Sequence, residues 1–129
     1  MDMDQDQLEL LRQIHETGLI EVNGREYRLT RMRHKQRRKV FAYFTHIKDQ
    51  LCDGDFGFMD SEKFDDVMAT IADVTTFDGA LLSRLETHWD NYPQDYLKFV
   101  TAAMGGISYP FLAENLTDSV SPGVPREKI

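Results

Sequence analysis

A single cysteine, Cys52, leaves this 129-residue chain without an internal disulfide. Nothing in it relies on an oxidising compartment, and a reducing cytoplasm is its natural setting. Long apolar runs are also missing, since none reaches the roughly 18–20 residues needed to cross a bilayer. The opening MDMDQDQ is acidic, the opposite of a secretory or transit leader. These features set the expectation of a cytoplasmic protein without a membrane partner. Metal-ligand spacing is lacking too. His15, His34, His46 and His88 lie far apart, and Cys52 has no second cysteine to complete a zinc set. The Asp53–Gly57 stretch resembles the start of a calcium loop. Counted from Asp53, however, the sixth position is Phe58 where glycine is needed, and the twelfth is Phe64 where a bidentate glutamate is needed. There is no phosphate-cradling glycine loop and no nucleophile elbow. A Cys–His pair would need Cys52 beside His46 or His88, and nothing in their order places them so. The sequence therefore predicts no catalytic, cofactor or metal residues, and a protein that is not an enzyme.

What the chain does have is an uneven charge. The formal net charge is −7, yet eight of the 15 basic residues fall between Arg25 and Lys39. From Val40 to Asp118 there are four basic residues against 14 acidic ones, a local net of −10. A basic block thus sits on an acidic body. Overall acidity argues against general nucleic-acid binding, although a local patch can still hold phosphate. Three readings of the block stay open. Arg31, Arg33, Lys35, Arg37 and Arg38 could contact phosphates, making the segment 31–39 the arm of a small nucleic-acid-binding regulator. They could be a solvated face paired with the acidic body, where single surface pairs are worth little. Or they could dock an acidic or helical protein partner, with Arg33, Arg37 and Arg38 as the surface contacts.

Periodicity predicts the elements. Leu8, Leu11 and Ile14 form a helical stripe with Leu10 beside it, and Gly18 is a fitting stop. LIEVNGREYRLT reads as a β-hairpin, because Asn23-Gly24 suits a type I′ turn. That turn sets Val22 opposite Arg25 and Ile20 opposite Tyr27, so Ile20, Val22, Tyr27 and Leu29 should share an apolar face. Arg31–Leu51 reads as one amphipathic helix with a core face of Val40, Phe41, Phe44, Ile47 and Leu51, the spine on which the rest should pack. Ser61 is placed to cap a helix carrying Phe64, Val67, Met68 and Ile71. Thr75-Thr76 should break it, and Phe77, Leu81, Leu82, Leu85 and Trp89 predict the next helix. Pro93 opens another, which Gly105-Gly106 should end, with a short helix from about Pro110 to Leu116. The fold expected is mainly α (α+β): a bundle of four to five helices with one hairpin at about residues 19–30. A single domain covers residues 1–118, and a flexible tail covers 119–129. Trp89, Tyr92, Tyr96, Phe99, Tyr109 and Phe111 supply six of the 14 aromatic side chains. Most belong to the core, while Tyr92, Tyr96 and Tyr109 have polar tips suited to a half-exposed interface.

Two strings, VNGREYRLTRMRHKQRRKVF and HWDNYPQDYLKFVTAAMGGISYPFL, resemble the tail assembly chaperones of tailed bacteriophages and prophages. The likeness runs from about residue 20 to 112: a hairpin with a tyrosine strand, a charged helix, then the YP…DY…YPF end. It implies a non-enzymatic helical protein of the host bacterial cytoplasm that is not part of the mature virion. Its partners would be the tape measure protein, which it keeps soluble, and tail tube subunits, which it helps recruit; self-association is left open. Trp89, Tyr92, Tyr96, Tyr109 and Phe111, with Arg33, Arg37 and Arg38, are the candidate partner-binding residues. An adaptor unrelated to phage would have a similar composition.

Overall fold

The computed structural model describes the backbone of residues 5–120 and the side chains of residues 5–113. Helix α1 (Gln5–Thr17) leads into strands β1 (Leu19–Val22) and β2 (Arg25–Leu29). Helices α2 (His34–Asp53) and α3 (Glu62–Ala72) follow, with a single 3₁₀ turn between them. Strands β3 (Thr75–Phe77) and β4 (Ala80–Leu81), a 3₁₀ turn and the short α4 (His88–Asn91) lead to α5 (Pro93–Val120). The protein is mainly helical with a small antiparallel sheet, as expected.

The first hairpin has the expected register, with Ile20 opposite Tyr27 and Val22 opposite Arg25. Asn23 and Gly24 take φ of 52° and 83°, the left-handed pair that a type I′ turn requires. The sheet is larger than the single hairpin predicted. Its order is β1-β2-β3-β4, and Arg28 and Leu29 of β2 pair with Thr76 and Thr75. The helix expected over Phe77–Trp89 is instead a second hairpin followed by two short turns. Asp78 and Gly79 repeat the same turn at φ 53° and 84°. The Asp-Gly pair carries this signal, and the helical spacing of Phe77, Leu81 and Leu85 masks it. Ser61 caps α3 as predicted, its Oγ accepting from the Phe64 N–H at 3.1 Å.

The packing centre is α5, not α2, with α1, α2, β1 and α4 all lying against it. Phe99, Val100, Ala103 and Met104 are fully buried there. On α2 the core face is Val40, Tyr43, Phe44 and Ile47, while Phe41 and Leu51 are only half-buried. Helix α2 begins at His34, leaving Arg31 outside it, and Gln36 Oε1 caps it by accepting from the Arg33 N–H at 3.1 Å.

Gly105 and Gly106 do not end α5, and no separate helix starts at Pro110. The helix runs through both glycines and the proline. The two glycines are where α1 comes closest. A Cβ on Gly105 would lie 2.6 Å from Leu11 Cδ2, and one on Gly106 would lie 2.4 Å from Ile14 Cγ2. Burial of α1 thus overrides the weak helix propensity of the glycine pair. Of the tail expected from Ser119, Ser119 and Val120 belong to α5, and the rest lies outside the described residues.

Candidate functional site

The turn of the first hairpin meets the start of α5 in a buried polar knot. Arg25 lies on the same sheet face as Val22 and Tyr27, so its side chain points inward, across Asp95 of α5. Arg25 Nε donates to Asp95 Oδ2 at 2.5 Å, and Arg25 Nη2 donates to Oδ1 at 2.9 Å. Asn23 Nδ2 donates to Oδ1 at 2.7 Å, and Tyr27 Oη donates to Oδ2 at 3.1 Å. Asp95 is fully buried, yet all four of its acceptor positions are filled. Arg25 above all, then Asn23 and Tyr27, hold the Asp95 carboxyl well below the usual carboxylate range against the opposing effect of burial. Burial, and then the bond to Asp95, push the Tyr27 phenol up, so it keeps its proton.

His88 completes the knot. Its Nε2 lies 2.8 Å from Tyr27 Oη. Because the phenol proton goes to an ionised Asp95, the Tyr27 oxygen is the acceptor on the other side. His88 must therefore carry its proton on Nε2. Burial lowers its pKa below the ordinary histidine value. Nitrogen-15 NMR should find His88 as the Nε2–H tautomer, titrating below the ordinary histidine value. A protonated Nδ1 in the neutral ring would contradict this hydrogen-bond order.

Around the knot the Tyr27 ring stacks on Trp89 at 5.9 Å and packs on Phe99 at 5.0 Å. Trp89 meets Tyr96 edge-on at 4.9 Å, and the Arg25 guanidinium sits 4.2 Å over the Tyr92 ring. Burial pushes the Tyr96 hydroxyl up to about 12. Trp89, Tyr92 and Tyr96 therefore join one half-buried cluster. Tyr109 and Phe111 do not belong to it. Tyr109 faces His15 of α1 at 5.9 Å, and Phe111 packs on Phe41 at 4.9 Å.

The basic block is also divided. Arg33 and Arg38 are exposed. Arg37 turns inward and donates from Nη1 to the Ile107 carbonyl at 2.8 Å, three residues before Pro110 in α5. Lys39 pairs with Asp66 of α3 at 2.8 Å.

Two open grooves lie on the surface. One, of about 640 Å³, runs between α2 and α3 past Tyr43, His46, Gln50 and Phe58. The other, of about 580 Å³, lies between α1 and α5. Its floor is Leu11, Phe44, Ala102 and Gly105, Leu10 and Leu97 form its walls, and Gln94, Lys98 and Thr101 edge it. Leu10 is 55% exposed, the most exposed large apolar side chain among the described residues. Sequence reading missed Leu10 and Leu97 as surface residues. Their signal is an apolar residue just outside each helix's buried stripe. Compared with known protein families, curated proteins and solved structures, the chain matches none. No helix among the described residues is long and apolar enough to cross a membrane.

Proposed function

We propose that this protein is a tail assembly chaperone of a tailed bacteriophage or prophage. In this reading it is not an enzyme. It binds and solubilises the tape measure protein in the host cytoplasm, helps recruit tail tube subunits, and leaves before the virion is complete. The observation that carries the reading is the α1–α5 groove, an open apolar trough walled by Leu10 and Leu97 with a polar rim. An amphipathic or apolar helix is the occupant such a trough suits, with anchors spaced i, i+3, i+4 and i+7 along it. The two sequence strings that resemble these chaperones give the partner its name. The nucleic-acid reading of residues 31–39 is weaker, because Arg37 and Lys39 are engaged within the protein. Co-expression with the tape measure protein of the same genome tests the proposal. Soluble tape measure protein that co-purifies with this chain is expected. Tape measure protein that stays insoluble and separate would count against it.

A further inference from the structure

We propose that the small pocket at the junction of α1, α2 and the Gly106–Ile107 turn of α5 binds one carboxylate group, with Arg37 as its principal ligand. The pocket is a partly open space of about 50 Å³ bordered by residues that include Ile14, His15, Thr30, Met32, Arg37 and Ile107. That is room for a carboxylate head and too little for a nucleotide or a sugar. It does not depend on the groove or on the phage reading.

The reason lies in a contrast with three other half-buried cations. Arg12 is bonded to Glu9 and Glu16, Arg25 to Asp95, and Lys39 to Asp66. Arg37 is drawn further from water than an ordinary surface arginine, and among the described residues its partner is a neutral carbonyl, Ile107 O. A guanidinium has five N–H donors, and this bond uses one. Burial lowers its pKa. His15, which carries the same sign only when protonated, also borders the pocket. Protonation of His15 is opposed by burial and then by the Arg37 charge, and Glu16 on its own helix only partly offsets this. From α5 the His15 ring faces the ring of Tyr109 at 5.9 Å. The N-terminal end of α2, where the helix dipole is positive, adds to the same potential. In a protein of net charge −7, the Arg37 charge in this pocket thus has no ion-pair partner among the described residues. A carboxylate answers it by accepting two parallel N–H bonds from the free edge of the guanidinium.

The site makes a linked prediction for His15. A bound carboxylate would oppose the Arg37 charge, so it should raise the His15 titration midpoint, and binding should tighten as pH falls through that range. The experiment is an NMR titration of the whole protein with sodium formate and, separately, with N-acetylglutamate amide. Sodium chloride at equal ionic strength is the control. Saturable shifts at His15 and at the Arg37 side chain, with a raised His15 midpoint, are expected from the carboxylates. Tighter binding of formate would assign the pocket to free small acids. Tighter binding of the glutamate derivative would assign it to an acidic side chain of a partner. Arg37→Gln, which keeps an N–H donor for Ile107, should weaken binding about tenfold or more. If that variant does not fold, the wild-type His15 midpoint with and without formate still decides the matter. Shifts that never saturate, equal shifts with chloride, or a folded Arg37→Gln that binds as well as wild type would overturn the proposal.

Discussion

Replacing Asp95 by alanine should cost about 3–5 kcal/mol of folding stability, the usual penalty for removing one partner of a buried ion pair. The loss strands four donors on three residues at once. Arg25, Asn23 and Tyr27 all point at the Asp95 carboxylate, and Arg25 would be left partly buried with no counter-charge. Against a typical total of about 5–15 kcal/mol, this is a large share. Asp95→Asn should also destabilise, because an amide of the same shape sets its own N–H₂ against the two donors that meet whichever oxygen it replaces. Tyr27→Phe should cost less, roughly 1–3 kcal/mol, since it removes a single hydroxyl from a knot that keeps its ion pair. Urea unfolding of the three variants checks the order. An Asp95→Ala protein as stable as wild type would show that the knot is decorative.

The same knot sets a pH dependence. The Asp95 pKa is lowered by folding, so its contribution is complete above the ordinary carboxylate pKa. It is lost as the pH falls from there toward the lower folded-state value. His88 is also lowered, by burial, so the folded protein binds that proton less readily than the unfolded chain. Stability should begin to fall below the ordinary histidine pKa, about 6.5, and fall further below the ordinary aspartate pKa, about 3.9. Both groups act in one direction, and neither favours acid.

Gly106→Ala should destabilise the protein even though alanine is the better helix former by about 1 kcal/mol. The added Cβ would sit 2.4 Å from Ile14 Cγ2 and 3.0 Å from Ile14 Cβ, next to the α1 backbone where nothing flexible can yield. Overpacking of this kind costs typically about 1–3 kcal/mol. Gly105→Ala is the informative contrast. Its Cβ meets only the end of Leu11, which can rotate, so the cost should be much smaller. A double-mutant cycle with Ile14→Ala should show coupling at Gly106 and little at Gly105. Equal effects at the two positions would mean that α1 is not held against α5 in this way.

These glycines also mark where sequence reasoning stops. A local pattern defines the first hairpin: Asn23-Gly24 sets the turn, and the turn sets the register of Ile20 and Tyr27. Ser61 and Pro93 mark helix starts by equally local chemistry. Gly105-Gly106 has the same residue chemistry as a helix stop, and only the approach of Leu11 and Ile14 from α1, about 90 residues away in sequence, reverses its meaning. Asp78-Gly79 is the opposite case. The turn signal is local, but the apolar spacing of Phe77, Leu81 and Leu85 fits a helix as well, and pairing with β2 decides between them. Asp95 and His88 could not be singled out, because one of four histidines and one of many carboxylates become special only once Tyr27 is placed between them. Arg37 looked like its neighbours Arg33 and Arg38 until the fold turned it toward Ile107. Trp89, Tyr92 and Tyr96 do gather in one place, though around Tyr27 and not with Tyr109 and Phe111.

The functional proposal rests on the groove, and Leu10 gives the most direct access to it. An exposed leucine changed to aspartate should alter stability by no more than about 0.5 kcal/mol, so the fold survives. The decisive measurement is co-purification of the tape measure protein with wild type, with Leu10→Asp combined with Leu97→Lys, and with Arg38→Ala. The account predicts that wild type and Arg38→Ala retain the partner and that the groove variant, folded by circular dichroism, loses it. Retention by the folded groove variant would place binding elsewhere on the protein and contradict the account.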